Sequence, residues 1–241
     1  GVIWLVIYLA VSWLLLVPPQ GWTPAGQAEK AEEANSGDAL RERNLTSRQM
    51  FRQPLYYVLF LVMMVACTSG LMVTAHASNI GQEVAGLTAS EGAVVVAAIA
   101  VGSCLGRFGF GAVSDRIGRY KALAISLAAN AVLMLFCIHA ATTFVTYLLA
   151  VAAVGACFGG TMTIVPAIVG DAFGSVNFGQ NYSFVYPGYT VASFVGPMAA
   201  ATAFEAVGSY SPAFVIAGAL ALVGVVLVLA CSRLERRLPS A

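Results

Sequence analysis

Apolar residues along this chain are gathered into blocks; they neither alternate nor recur on one narrow stripe. Seven blocks stand out, near residues 1–17, 54–76, 91–113, 122–140, 143–168, 182–205 and 212–231. Each is long enough, at about 1.5 Å per residue, to cross most or all of a hydrocarbon layer roughly 30 Å thick. No water is available there to satisfy an open backbone, so each block predicts an α-helix. The pattern therefore predicts an all-α fold, a polytopic membrane helix bundle.

Between the first two blocks lies the only long polar stretch, residues 18–53, rich in Ala, Glu, Gly, Ser and Arg. That composition predicts a linker that is disordered or weakly helical. It ends at Pro54, which suits the first position of a helix because its missing N–H has no partner there. One block, a linker and six further blocks read as parts of two bundles. Residues 1–17 are a truncated helix of a preceding bundle, 54–231 a six-helix bundle and 232–241 a short tail. The chain opens at Gly1 already inside an apolar block, with no charged segment ahead of it, so more chain is expected upstream.

The basic residues set an orientation. One set of segments carries Lys30, Arg41, Arg43, Arg48, Arg52, Arg116, Arg119, Lys121, Arg233, Arg236 and Arg237, whereas the loops at 77–90, 141–142 and 206–211 carry none. By the positive-inside rule the linker and the C-terminal tail are cytoplasmic. The sequons Asn44-Leu45-Thr46 and Asn181-Tyr182-Ser183 then fall on the cytoplasmic side and are chance matches.

Composition agrees with this picture: 59% of residues are hydrophobic and 10% charged, where a soluble domain carries about a quarter charged. Lipid is the medium this chain meets. A net charge of +1 gives no support for binding nucleic acid. The five cysteines (Cys67, Cys104, Cys137, Cys157, Cys231) all lie in apolar blocks without a CxxC pair, and read as small helix residues, with no metal or cofactor site implied.

After the third block the chain reads Gly111-Ala112-Val113-Ser114-Asp115-Arg116-Ile117-Gly118-Arg119-Tyr120-Lys121. Asp115 is placed to bond a basic side chain or a neighbouring helix N-terminus, Gly118 to permit a tight turn, and Gly111 to allow close helix approach. This stretch resembles the signature loop of the major facilitator superfamily, G-x-x-x-D-R-x-G-R followed by a basic residue. Gly111, Asp115, Arg116, Gly118, Arg119 and Lys121 stand at its positions, with Tyr120 interrupting the usual basic pair. The resemblance implies a gating role for these six residues. It also implies that the blocks are the sixth helix, the central linker and helices seven to twelve, the C-terminal half of the fold. A partner half of six helices is then expected upstream.

Within that superfamily the chain is most similar to the oxalate:formate antiporter family and more distantly to the monocarboxylate transporters. Gly70-Leu71-Met72 with His76, Gly106-Arg107, Asn181-Tyr182, Gly188 and Gly196-Pro197 carry the likeness. Arg107 is the one basic residue within the blocks, eight residues before Asp115 and so about 12 Å deeper along a helix. A guanidinium there needs a partner, a wet cavity or a route to the interface. Its neighbours one turn away, Ser103 and Gly111, offer no carboxylate, so a carboxylate ligand held by its two-donor fork is one reading and snorkelling the other. The resemblance implies the first. The departures are Ser103, where monocarboxylate transporters have an aspartate, and a sixth block without the lysine of the oxalate transporter. One cation leans toward a monocarboxylate.

Tyr182, Tyr186 and Tyr189 recur at helical spacing and share a face. Tyr186 and Tyr189 are candidates to donate to a bound carboxylate, against the alternative of an interfacial aromatic belt. His76, near the outer end of its block, is a candidate proton relay or an interfacial histidine. Glu91 and Glu205 read as solvated helix ends. The steps Gly102/Gly106, Gly155/Gly159 and Gly188/Ala192/Gly196 read as packing surfaces, and Pro166, Pro187 and Pro197 as breaks.

Taken together the sequence predicts a secondary transporter for small organic anions, either monocarboxylates such as formate, lactate or pyruvate, or oxalate exchanged for formate. A carrier of another solute class and a heptahelical receptor are the alternatives; the receptor rests on Asp115-Arg116 closing the third block. Catalytic motifs of intramembrane or nucleotide-driven enzymes do not occur, so no enzyme is expected.

Overall fold

The computed structural model describes residue 6, residues 9–12 and residues 44–235. The chain forms two units, Gly1–Glu42 and Arg43–Ala241. In the first, residues 6 and 9–12 are helical. The rest of the first block, and the linker up to residue 43, lie outside the described residues, as do residues 236–241.

Among the described residues, the regular structure of the second unit is entirely helical. A short helix α1 (Ser47–Met50) leads into six helices long and apolar enough to span a membrane. These are α2 (Pro54–Ala85), α3 (Ala89–Ile117), α4 (Arg119–Ala140), α5 (Phe144–Phe173), α6 (Phe178–Val207) and α7 (Ser211–Glu235). Short connections make successive helices run up and down, so Arg48, Arg52, Arg116, Arg119, Lys121 and Arg233 all gather at one end of the bundle. We call it the basic end.

Most helices outgrow their apolar blocks. α2 runs on to Ala85, through a stretch the hydropathy pattern assigns to a loop, and stops where Gly86 takes a left-handed conformation at φ 62°. Its polar last turns are accommodated because Glu83 accepts from the Ser209 hydroxyl and the Tyr210 amide (3.1 Å), capping the approach to α7. α3 and α5 open with side-chain caps: Glu91 accepts from the Thr88 amide at 2.8 Å, and Thr146 from the Thr143 amide at 3.1 Å. Glu91 is thus engaged by its own helix end and is not simply solvated.

Two of the three expected proline breaks are absent. Pro166 sits inside an uninterrupted α5 and Pro197 inside α6; only at Tyr186–Pro187 is a helix interrupted. Neighbouring helices cover the freed backbone groups in such a bundle. An irregularity with no sequence signature occurs instead in α4, where Leu133–Cys137 form a π turn. The wider turn keeps Asn130, Met134 and Ile138, spaced by four, all facing the interior.

The tightest packing joins α3 to α5. A methyl group added at Gly102 or Gly106 would lie 2.1 or 2.0 Å from the carbonyl oxygens of Ala152 and Ala156; at Gly155 or Gly159 it would lie 2.5 or 2.0 Å from those of Ile99 and Ser103. Backbone therefore meets backbone, which only small residues allow. A second such seam joins α6 to α2, with Gly188 facing the Phe60 carbonyl, Gly196 the Thr68 carbonyl and Ala192 buried between them. The sequence reading of these steps as packing surfaces agrees with both seams.

Two apolar clusters fill the interior. One lies toward the basic end around Leu59, Met63, Ile164 and Phe173, and the other beyond it around Met72, Met134, Tyr147 and Phe214. Interhelical hydrogen bonds cross this interior: Asn130 to Ser69, Ser126 to the Cys157 carbonyl (3.1 Å) and Tyr147 to the Ala77 carbonyl (2.8 Å). They tie α4 and α5 to each other and to α2.

The seam makes a sharp expectation. Gly106→Ala should destabilise the protein by about 1–3 kcal/mol through overpacking, whereas Gly109→Ala, with nothing within 4 Å, should be neutral. Thermal unfolding of the two purified variants in detergent checks the contrast.

Candidate functional site

The basic end is organised around a turn of one residue. α3 ends at Ile117 and α4 begins at Arg119, so Gly118 alone reverses the chain at φ 94°, a conformation that favours glycine. This agrees with the tight turn expected at Gly118. The reversal brings Arg119 back over the last turn of α3, where it donates to Asp115 and, at 2.8 Å, to the Ser114 hydroxyl. Its Nε also donates to Asp171 of α5 at 3.3 Å.

Arg119 thus bridges two carboxylates on two helices. All three charges have the wrong sign for their own helix ends: acids in the last turns of α3 and α5, a base in the first turn of α4. Pairing offsets that cost. Asp171 has no sequence signal, because nothing in its neighbourhood repeats the loop motif; only the approach of α5 to α3 makes it a partner. Gly111 departs from expectation. A methyl group there would meet only the Thr163 methyl at 3.4 Å, so close approach occurs at Gly106 and Gly102. Arg116 and Lys121 are exposed and make no ion pair among the described residues.

The second cluster lies on α3 and α6, the two least buried of the six long helices. The glycine seam fixes the face that α3 turns to α5, and this leaves Arg107, next to Gly106, exposed at its edge. Arg107 makes no ion pair or hydrogen bond among the described residues. It does lie close enough to Tyr189 on α6 to interact with it electrostatically. Tyr189 stacks on Tyr186 with ring centroids 5.1 Å apart, and Tyr186 meets Tyr182 at 5.7 Å. The three tyrosines share a face as their spacing predicts, and Phe158 of α5 approaches Tyr189 at 6.4 Å.

His76 is not at a helix end. Because α2 continues to Ala85, the imidazole lies about 13 Å inside it. Its Nε2 bonds the Pro197 carbonyl of α6 at 3.2 Å and its ring packs 5.5 Å from that of Tyr210. It sits far along the chain from Arg107 and no contact joins the two.

Asn181, read above as part of a chance sequon, is fully buried. It donates to the Leu45 carbonyl at 2.9 Å and accepts from Ser47 at 3.0 Å, fastening the end of the linker to the start of α6. Its amide nitrogen is thereby occupied. Among the described residues no group of three or more His, Cys, Asp or Glu stands ready to hold a metal ion.

Asp115 and Asp171 are 64% and 57% exposed, so their bonds to Arg119 are screened by water. A double-mutant cycle of Asp171→Asn with Arg119→Gln should give a coupling below about 1 kcal/mol in thermal unfolding. A coupling of about 3 kcal/mol or more would mean that the Arg119–Asp171 pair is shielded from water.

Comparison with known proteins places this geometry in a family. The sequence model of the Major Facilitator Superfamily matches residues 67–241. The chain is 32% identical over 188 residues to an uncharacterized MFS-type transporter of Escherichia coli, YhjX, covering 78% of this chain and 46% of that protein. It is 29% identical over 161 residues to the oxalate:formate antiporter of Oxalobacter formigenes, covering 64% of this chain and 37% of the relative. It therefore spans less than half the length of these curated relatives. Among solved structures, the E. coli fucose:proton symporter superimposes with a TM-score of 0.65 at 16% identity, over 83% of this chain and 46% of that one. The likeness is one of fold.

Proposed function

The chain belongs to the major facilitator superfamily, and from that premise we propose that the full-length protein is a secondary transporter of small carboxylates. Membership in this family supports an integral, multi-pass membrane carrier and weighs against the enzyme and receptor readings. The substrate class rests on one observation: Arg107 is exposed on α3 without an ion pair among the described residues, with Tyr189 of α6 within electrostatic reach. A guanidinium in a membrane segment is costly, and a bidentate carboxylate offsets that cost with directional bonds. Tyr189, with Tyr186 stacked behind it, supplies a hydroxyl donor. The antiporter relative, named for oxalate and formate, supports the same class.

In this reading a further six-helix half completes the cavity, and substrate sits between the halves near mid-membrane. Monocarboxylates such as formate, lactate or pyruvate are favoured over oxalate, since this half offers one cation at the site. The six motif residues, with Asp171, close one face during the cycle, and His76 is the candidate for carrying a coupling proton. The linker and C-terminus are assigned to the cytoplasm from the clustering of Lys and Arg at the basic end.

Two measurements test this. Uptake of labelled formate, lactate, pyruvate and oxalate into proteoliposomes should fall to background in Arg107→Ala and remain there in Arg107→Lys, because an ammonium lacks the planar fork. Transport by Arg107→Ala equal to the parent would make the arginine a snorkelling anchor. For orientation, a membrane-impermeant thiol reagent applied outside cells should label Ser90→Cys and spare Val176→Cys; the reverse pattern would invert the topology.

A further inference from the structure

α6 is held to the bundle in an unusual way. Through its middle it meets α2 at Gly188, Ala192 and Gly196, a surface without side chains that could key into a neighbour. Such a surface permits close contact and offers little resistance to sliding. Polar bonds occur instead at two separated points. At the basic end Asn181 grips the Leu45 carbonyl and the Ser47 hydroxyl, and Tyr56 of α2 donates to the Phe184 carbonyl at 3.2 Å, just before the interruption at Tyr186–Pro187. Toward the other end, one residue beyond Gly196, the Pro197 carbonyl receives His76 Nε2 at 3.2 Å.

A carbonyl can only accept, so His76 must carry its proton on Nε2 in this bond, whatever the state of Nδ1. The ring is further located by Tyr210, which stacks on Phe204 of α6 at 4.8 Å and whose amide is capped by Glu83 of α2. The bond thus joins α2 to α6 at a fixed place, about 12 Å along the helix from Tyr189.

We propose that His76 is a positioning residue of the transport cycle: its hydrogen bond to the Pro197 carbonyl fastens the outer part of α6 to α2, and α6 pivots when this bond is made and broken. The role rests on the transporter reading above and is separate from proton carriage. The smooth seam lets the helix move, Asn181 retains its basic end, and His76 sets one of its positions. Tyr186 and Tyr189, carried on the same helix, move with it relative to Arg107.

The test compares His76→Gln, whose amide nitrogen reproduces the reach of Nε2, with His76→Leu, which has no donor, in the full-length protein. Two readouts are taken: substrate exchange in proteoliposomes, and hydrogen–deuterium exchange of the backbone in residues 198–207. In His76→Leu the exchange rate should fall roughly tenfold at unchanged half-saturation, and amide protection in 198–207 should fall about fivefold, the scale of one lost hydrogen bond. In His76→Gln the amide protection of 198–207 should stay within about threefold of the parent.

Parental exchange and protection in His76→Leu would overturn the proposal. So would equal losses of protection in both variants, or a loss confined to proton-driven uptake with exchange intact, which would make His76 a relay only. Should His76→Leu fail to insert, His76→Asn, too short to reach the carbonyl, replaces it with the same expected losses. If the parent exchanges none of the carboxylates, the substrate reading fails by itself, and the protection of residues 198–207 still decides the role of His76.

Discussion

In a membrane, neighbouring lipid tails are as apolar as leucine, so burying oily side chains does little to hold helices together. Close backbone contact takes over that task. In this protein the contact is concentrated at the α3–α5 seam, where Gly102, Gly106, Gly155 and Gly159 each face a carbonyl of the opposite helix. Everything else follows from how that seam orients α3. It directs Arg107 away from α5, and it brings the ends of the two helices close enough for Arg119 to span Asp115 and Asp171. A side chain in the seam would therefore disturb both clusters without touching either.

Charge is placed with corresponding economy. At the basic end two acids and a base stand at helix termini that disfavour them, and they find compensation in one another across α3, α4 and α5. Exposed pairs of this kind contribute little to stability. Their arrangement is easier to understand as a contact that must open than as a fixed brace. Arg107 presents the opposite case: a charge in a membrane helix to which the described part of the bundle offers only a phenol.

α6 differs from its neighbours. α2, α4 and α5 are tied to one another in the interior by side chains: Asn130 to Ser69, Ser126 to the Cys157 carbonyl and Tyr147 to the Ala77 carbonyl. α6 carries the tyrosine face, packs against α2 through small residues and is fastened by polar bonds in two regions, its basic end and the turn at Pro197. Its interruption at Tyr186–Pro187 falls between the buried Asn181 clasp and the Tyr189 ring, so the two parts need not move as one.

The sequence by itself determined the class of fold, the number of spanning helices in the second unit, the clustering of basic residues at one end and the family. These depend on composition, block length and a local motif, all properties of short windows of chain. It also singled out Arg107 and the shared face of the three tyrosines, because a lone charge and a helical spacing are visible locally. Only the tertiary structure could reveal that α2 extends past His76, since the polar residues ending that helix are stabilised by Glu83 bonding Ser209 and Tyr210, more than a hundred positions away. It alone paired Arg119 with Asp171, put His76 against Pro197, turned the Asn181 sequon into a buried clasp and moved the close approach from Gly111 to Gly106. In each case the deciding partner lies on another helix. A window of sequence records what a helix carries; its neighbours decide which of those groups meet.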